Sequence, residues 1–125
     1  MTKINLTNQQ MFDIAHAGII EQGKPGTNAA GDCVYKGSDG SMCAVGLIFD
    51  NQDIHGLRDL DGDVLEAASA LDIDLTGEQI SFMESMQAAH DTAAQTGDNS
   101  GFLDRFRENM NLVAKNYSLK IPSVN

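Results

Sequence analysis

Residues 31–46 read "GDCVYKGSDGSMCAVG", and this stretch decides which fold the chain is expected to adopt. Its centre is typical of a tight hairpin, in which Ser38, Asp39 and Gly40 form a three-residue loop. Gly40 takes the left-handed conformation that closes such a loop. The opposed pairs in this register are Gly37–Ser41, Lys36–Met42, Tyr35–Cys43 and Cys33–Val45. The stretch therefore predicts an antiparallel β-hairpin over about residues 33–48.

Cys33 and Cys43 are the only cysteines in the sequence. The hairpin register makes them diagonal neighbours, roughly 7 to 8 Å apart, which is beyond comfortable disulfide reach. A two-residue turn at Asp39 and Gly40 would instead place the two thiols on opposite faces. Neither register favours a disulfide. The first 20 residues lack the apolar run that is typical of a secretory signal, so we expect a cytoplasmic protein. Thiols stay reduced in the cytoplasm, which also argues against a disulfide.

Capping residues mark the helix starts around this hairpin. In "TNQQ", Thr7 is an N-cap and the glutamine three residues later reaches back to it; "TGEQ" repeats this capping box from Thr76. Ser100 is the expected cap of the last helix, and Asp61 or Asp63 that of a short one. Apolar residues recur three or four apart after the starts at Thr7, Thr76 and Ser100, and Gly23 and Gly97 are the expected stops of the helices that follow Thr7 and Thr76. The predicted helices cover about residues 8–22, 64–71, 77–96 and 101–117.

The length and composition fit one domain over residues 1–125. With 42% hydrophobic residues and only two prolines, the chain can bury one modest core. The predicted fold class is α+β and mostly helical, with about four helices packed on one small antiparallel β-hairpin.

The charge balance restricts the partners. Eighteen acidic against eight basic residues give a net charge of −10, which disfavours direct binding of nucleic acid or of an anionic membrane. No apolar run approaches the roughly 20 residues of a membrane span. We therefore expect a protein partner with a basic surface, and a homo-oligomer stays open.

The densest acidic cluster is "DNQDIHGLRDLDGD", residues 50–63, which we call the acidic segment. Binding residues concentrate in loops that rigid elements hold in place. The charge also has a simpler explanation, solubility and a helix cap. The candidate partner-binding residues are Asp50, Asp53, Asp59, Asp61 and Asp63.

Metal and thiol chemistry have weaker patterns. The cysteines lie ten residues apart and the histidines are scattered, unlike the ligands of structural zinc. The acidic segment also fails the EF-hand pattern, because its glycine comes too early. A nucleophilic Cys43 with His55 or His90 as base lacks a cation or a helix N-terminus to lower its pKa. His16 and His90 are expected to be partly buried, hydrogen-bonded imidazoles. We predict no catalytic residue, no metal and no cofactor; if a metal binds, the candidate ligands are Cys33, Cys43, His55 and His90.

The string "CVYKGSDGSMCAVGLIFD" resembles a family of small proteins from phages, prophages and bacteria that has no established activity. Many members carry a further cysteine after the Cys-Ala-Val/Ile-Gly motif, where this chain has Leu47. If three thiols bind a metal in those relatives, this chain lacks one ligand. The resemblance implies a phage-type origin and no catalytic role. The positions that match the family pattern are Cys33, Tyr35, Lys36, Gly37, Gly40, Cys43, Ala44, Val45, Gly46 and Ile48.

These observations favour a small acidic phage-type accessory protein that acts by binding a protein in the host cytoplasm. Its more specific form is an inhibitor of a host or defence nucleic-acid-binding protein, acting as a DNA mimic in host takeover or anti-defence. The alternatives are a metal-dependent or cysteine enzyme and a structural subunit of a phage assembly.

Overall fold

The computed structural model describes residues 2–95 and 100–122. Within these ranges the chain forms five helices and two very short strands, so the prediction of a helix-dominated α+β fold is confirmed. The number of helices is one more than predicted. No described helix has the length and apolar character needed to cross a membrane. The elements are β1 (Thr2–Lys3), α1 (Asn8–Gln22), α2 (Ala44–Asn51), α3 (Val64–Ala70), β2 (Ile73–Asp74), α4 (Gly77–Ala94) and α5 (Phe102–Asn116).

The strands lie far from the predicted hairpin and pair in parallel. Thr2 lies opposite Ile73 and Lys3 opposite Asp74 in a two-stranded sheet. The amide of Thr2 also donates a hydrogen bond to the carbonyl of Asp72, at 3.1 Å. This pairing fixes the start of the chain beside the connection between α3 and α4.

The predicted hairpin over residues 33–48 is wrong, because its second strand is a helix. Helix α2 begins at Ala44, and Cys43 is its N-cap, with Sγ accepting a hydrogen bond from the Gly46 amide at 3.3 Å. The predicted pair of Cys33 and Val45 does not form, since Val45 belongs to α2. A short continuous apolar run fits a buried strand and a buried helix equally well, and the run from Ala44 is of this kind.

The turn itself has the expected form. The Gly37 amide donates to the Ser41 carbonyl at 2.7 Å, and Gly40 has a φ of 87°. Lys36 and Met42 form an antiparallel bridge, as the three-residue loop requires. One rung of the hairpin thus exists without two regular strands, because the chain turns into α2 directly after it.

The expected N-caps start three of the helices. The side chains of Thr7, Asp63 and Thr76 each accept a hydrogen bond from the amide three residues later, in a full capping box. Helix α1 ends at Gly23, which has a φ of 78° and donates to the Ile19 carbonyl. These helix ends are set by local side-chain chemistry.

The other predicted helix limits need one correction. Helix α5 follows Gly101, which has a φ of 79°, so the expected cap at Ser100 is one residue early. Helix α4 is described to Ala94, and its predicted end at 96 and stop at Gly97 lie outside the described residues.

The core lies between α4 and α5 and between α1 and α2, the two most closely packed helix pairs. Two glycines allow close backbone contacts between helix α2 and the loop that precedes it. A Cβ atom at Gly46 would overlap the Tyr35 carbonyl oxygen, and one at Gly26 would overlap the Cys43 amide nitrogen. Large side chains that are fully buried in this core include Phe12, Tyr35, Phe49, Phe82, Phe102 and Phe106.

Candidate functional site

The acidic segment is tied to the turn by backbone hydrogen bonds. The Tyr35 amide donates to the Leu60 carbonyl at 2.8 Å, and the Asp59 amide donates to the Lys36 carbonyl at 2.8 Å. Lys36 and Arg58 form a parallel bridge on the side of Lys36 away from Met42. The segment therefore lies against the turn in a defined register, although residues 50–63 contain little regular structure after α2.

The five candidate aspartates are all exposed. Asp50 lies in the last turn of α2, and Asp63 caps α3. Asp53 and Asp59 both have a φ of 58°, a left-handed conformation that aspartate tolerates better than most residues. The ligand atoms of these five side chains do not converge as a metal site would require among the described residues. The five carboxylates therefore spread negative charge over the surface of the acidic segment.

This charge has little local compensation. The lysine–aspartate ion pairs among the described residues join Lys3 to Asp74 at 3.9 Å and Lys24 to Asp39 at 2.6 Å. The hydrogen bond from Lys24 also holds the pKa of Asp39 well below its usual range. Neither pair involves a candidate aspartate, so in the described structure those five carboxylates have no ion-pair partner.

A polar cluster joins the loop before the turn to helix α4. One ligand atom each of Cys33, His90 and Asp91 lies within 4.8 Å of the other two. His90 is fully buried, with Nδ1 2.8 Å from Asp91 Oδ1 and Nε2 accepting a hydrogen bond from the Gly26 amide at 3.0 Å. Because a backbone amide donates to Nε2, the proton of the neutral ring is on Nδ1 and is donated to Asp91.

Asp91 is the centre of this cluster. Its carboxylate accepts hydrogen bonds from His90 and from Gln87 Nε2, the latter at 3.2 Å, and it lies within 4.8 Å of the Cys33 thiol. The Gln87 Oε1 atom accepts a hydrogen bond from the Val45 amide at 3.2 Å. Helix α4 therefore holds both the loop before the turn and the first turn of α2.

The hydrogen bonds of His90 argue against a metal at this cluster. A metal on Nδ1 leaves the proton on Nε2, where it would face the Gly26 amide, which is also a donor. Of the four candidate metal ligands, Cys33 and His90 come together. Cys43 is buried as the cap of α2, and His55 lies elsewhere, in a cavity with Lys36.

Asp91 is the cluster residue that the sequence reasoning missed. It directly follows His90 and lies four residues after Gln87, so the signal available was one polar face on α4. That face alone did not reveal the contact with Cys33, since the two residues lie far apart in the sequence.

Neither thiol is poised for nucleophilic chemistry. Burial raises the pKa of Cys33 to about 12, and the Asp91 carboxylate adds to the shift. Burial likewise raises the pKa of Cys43 to about 12. The predicted strand at Cys43 is in fact a helix N-terminus, but burial outweighs its effect. His90 has both ring nitrogens engaged, so it is not available as a base for either thiol.

His16 does not follow the expectation that His16 and His90 would both be hydrogen-bonded. It is 2% exposed and stacks on Phe12 with ring centroids 5.5 Å apart, and its Nδ1 atom has no hydrogen-bond partner within the described residues. Burial lowers the pKa of His16, and the charge of Arg107 lowers it further, while Asp13 opposes the shift. His16 is therefore a core residue that resists protonation.

Comparison with known proteins adds no assignment. No protein-family model, curated protein or solved structure matches this chain. The functional conclusion therefore depends on the charges, contacts and burial described above.

Proposed function

We propose that this protein is a small acidic phage-type accessory protein that binds a protein partner with a basic surface through the acidic segment, residues 50–63. The observation that carries the proposal is the set of five exposed aspartates without an ion-pair partner in the described structure. The resemblance of the turn motif to phage and prophage proteins supports the phage-type origin.

The anchoring of the segment supports binding through it. Hydrogen bonds at Lys36 and Tyr35 fix its middle, and the cap at Asp63 fixes its end. A surface that is ordered before binding loses less conformational entropy when the complex forms. The carboxylates are thus presented from a scaffold that α4 holds through the polar cluster.

The net charge supports electrostatic recognition. A charge of −10 on 125 residues accelerates the encounter with a basic surface and disfavours contact with polyanions. In its more specific form the partner is a host or defence protein that binds nucleic acid, and the aspartates occupy the surface that phosphates normally contact. Competition between this protein and DNA for the purified partner tests that form.

The experiment is capture from bacterial lysate on the immobilised protein, with partners identified by mass spectrometry. The test variant replaces all five aspartates by asparagine, which also caps helices and also tolerates a positive φ. The control variant removes five other exposed carboxylates, so both variants have the same net charge. The control positions are Asp13, Glu21, Glu78, Glu84 and Glu108.

We expect the wild-type and control proteins to retain one stoichiometric partner at physiological salt, and the five-asparagine variant to lose it. Binding should weaken steeply as salt rises, because the carboxylates are exposed and screened. A partner held equally by both variants would show that the acidic segment is not the binding surface.

The alternatives have separate tests. An enzyme that depends on a metal or on Cys43 would contain about one equivalent of metal or lose turnover in Cys43→Ser. The hydrogen bonding of His90 and the raised thiol pKa values disfavour both forms. A structural subunit of a phage assembly would show a large, concentration-dependent mass in solution.

A further inference from the structure

A cavity of about 150 Å³ lies between the end of α2 and residues 54–58. Its walls are unusual for so acidic a chain, because they bring cationic and titratable groups together. Ile54 and Leu57 form its apolar part. The polar side chains that line it are Lys36, Asp50, His55 and Arg58.

The two cations of this cavity lack a counter-ion among the described residues. Lys36 and Arg58 are two of only eight basic residues, and neither forms an ion pair in that part of the chain. Lys36 is half-buried beside an apolar wall. Arg58 is exposed, so the cost of removing an unpaired charge from water applies to Lys36 alone; an anion in the cavity would offset that cost at Lys36 and could form a charge-assisted hydrogen bond with Arg58.

The backbone of the same segment offers further donors. The Ile54 amide donates to the Phe49 carbonyl at 3.0 Å, and the Asp59 amide donates to the Lys36 carbonyl at 2.8 Å. Between them, the amides of residues 55–58 have no acceptor in the described part of the chain. Successive unpaired amides beside cationic side chains are a common way to bind an anion.

We propose that this cavity binds a small organic phosphate that also carries a hydrogen-bond donor. The phosphate contacts Lys36, Arg58 and the free amides, and the donor contacts Asp50. One water molecule occupies about 30 Å³ in the liquid, so the cavity accommodates a phosphate with a short substituent. Asp50 repels a bare phosphate and favours a ligand with an amine or a hydroxyl group.

This site shares Asp50 and part of the acidic segment with the proposed partner surface, but its test uses the isolated chain and a small ligand, so either proposal can fail without the other. Calorimetric titration of the full chain with O-phosphoethanolamine and with inorganic phosphate tests it. We expect one site per chain and tighter binding of phosphoethanolamine. Lys36→Gln and Arg58→Gln should each weaken binding about tenfold or more, because each removes a charge-assisted contact. Lys115→Gln, which removes an equal charge at the end of α5, should leave affinity unchanged.

Asp50→Asn distinguishes the two ligand groups. It should weaken binding of phosphoethanolamine and strengthen binding of inorganic phosphate. In the wild-type protein, amide resonances of residues 55–58 should shift during the titration, which needs no substitution and so no refolding control. Absence of saturable binding up to about 10 mM, or resonance shifts that avoid this segment, would overturn the proposal.

Discussion

Gly46→Ala perturbs the close contact between helix α2 and Tyr35 in the loop that precedes it. A Cβ atom at this position overlaps the Tyr35 carbonyl oxygen and lies 3.1 Å from the Tyr35 carbonyl carbon and 3.4 Å from Cys43 Sγ. The carbonyl cannot move freely, because its oxygen accepts a hydrogen bond from the Cys43 amide at 3.4 Å and the Tyr35 amide donates to the Leu60 carbonyl at 2.8 Å. The alanine must therefore push α2 and the loop apart.

The magnitude follows from two opposing effects. Replacing glycine by alanine inside a helix gains about 0.5–1 kcal/mol from helix propensity. Overpacking against a fixed backbone costs about 1–3 kcal/mol, and separation of the loop from α2 also weakens the cap at Cys43. We expect a net loss of about 1–2 kcal/mol in the free energy of unfolding of Gly46→Ala.

Gly77→Ala is the matched control. Gly77 is the first residue of α4, and a Cβ atom added there would meet no other atom within 4 Å. Alanine at this position should therefore be neutral or stabilising by up to about 1 kcal/mol. Urea denaturation followed by circular dichroism measures both variants. A Gly46→Ala protein that is as stable as Gly77→Ala would refute the close approach of α2 to Tyr35.

Three further predictions concern stability and reactivity. His16 has a lowered pKa in the folded protein, so the unfolded chain binds more protons; stability should fall as pH drops below 6.5 and hold above it. Denaturation curves of His16→Leu should show less of this acid sensitivity, and an unchanged profile would exclude His16 as its source. Because burial raises both thiol pKa values, iodoacetamide at neutral pH should modify native Cys43 only on unfolding and Cys33 slowly; rapid labelling of Cys43 would contradict its burial. Thr76→Ala should cost about 1 kcal/mol in urea denaturation, and no loss would mean that the capping box at α4 contributes nothing.

Local chemistry made much of the fold predictable. Thr7, Asp63 and Thr76 each identify a helix start within four residues of sequence, and Gly23 identifies a helix end. The turn closed by Gly40 was equally readable, because a three-residue loop needs a left-handed residue at that place.

The errors arise where distant residues decide the structure. Helix α2 carries a continuous apolar run, which does not distinguish a helix from a strand. Its direction depends on the close approach of Gly46 to the Tyr35 carbonyl and on the hydrogen bond from the Val45 amide to Gln87. The strands β1 and β2 are two residues long and pair across the chain, which leaves no periodic signal.

The same limit applies to the candidate sites. The aspartates of the acidic segment were visible as a cluster, but the bridge that brings Arg58 beside Lys36 was not. Nor does the sequence place His90 on the Gly26 amide, 64 residues away. Both contacts depend on how the loop between α1 and α2 packs on the rest of the chain.

The central claim is that the acidic segment binds a basic protein surface, and its most direct test is an association rate. The captured partner is purified, and its association with the wild-type, five-asparagine and control proteins is measured over a range of salt. We predict that the five-asparagine variant associates at least about tenfold more slowly and loses most of the salt dependence, while the control stays close to wild type. Equal rates and equal salt slopes for the two variants would contradict the claim.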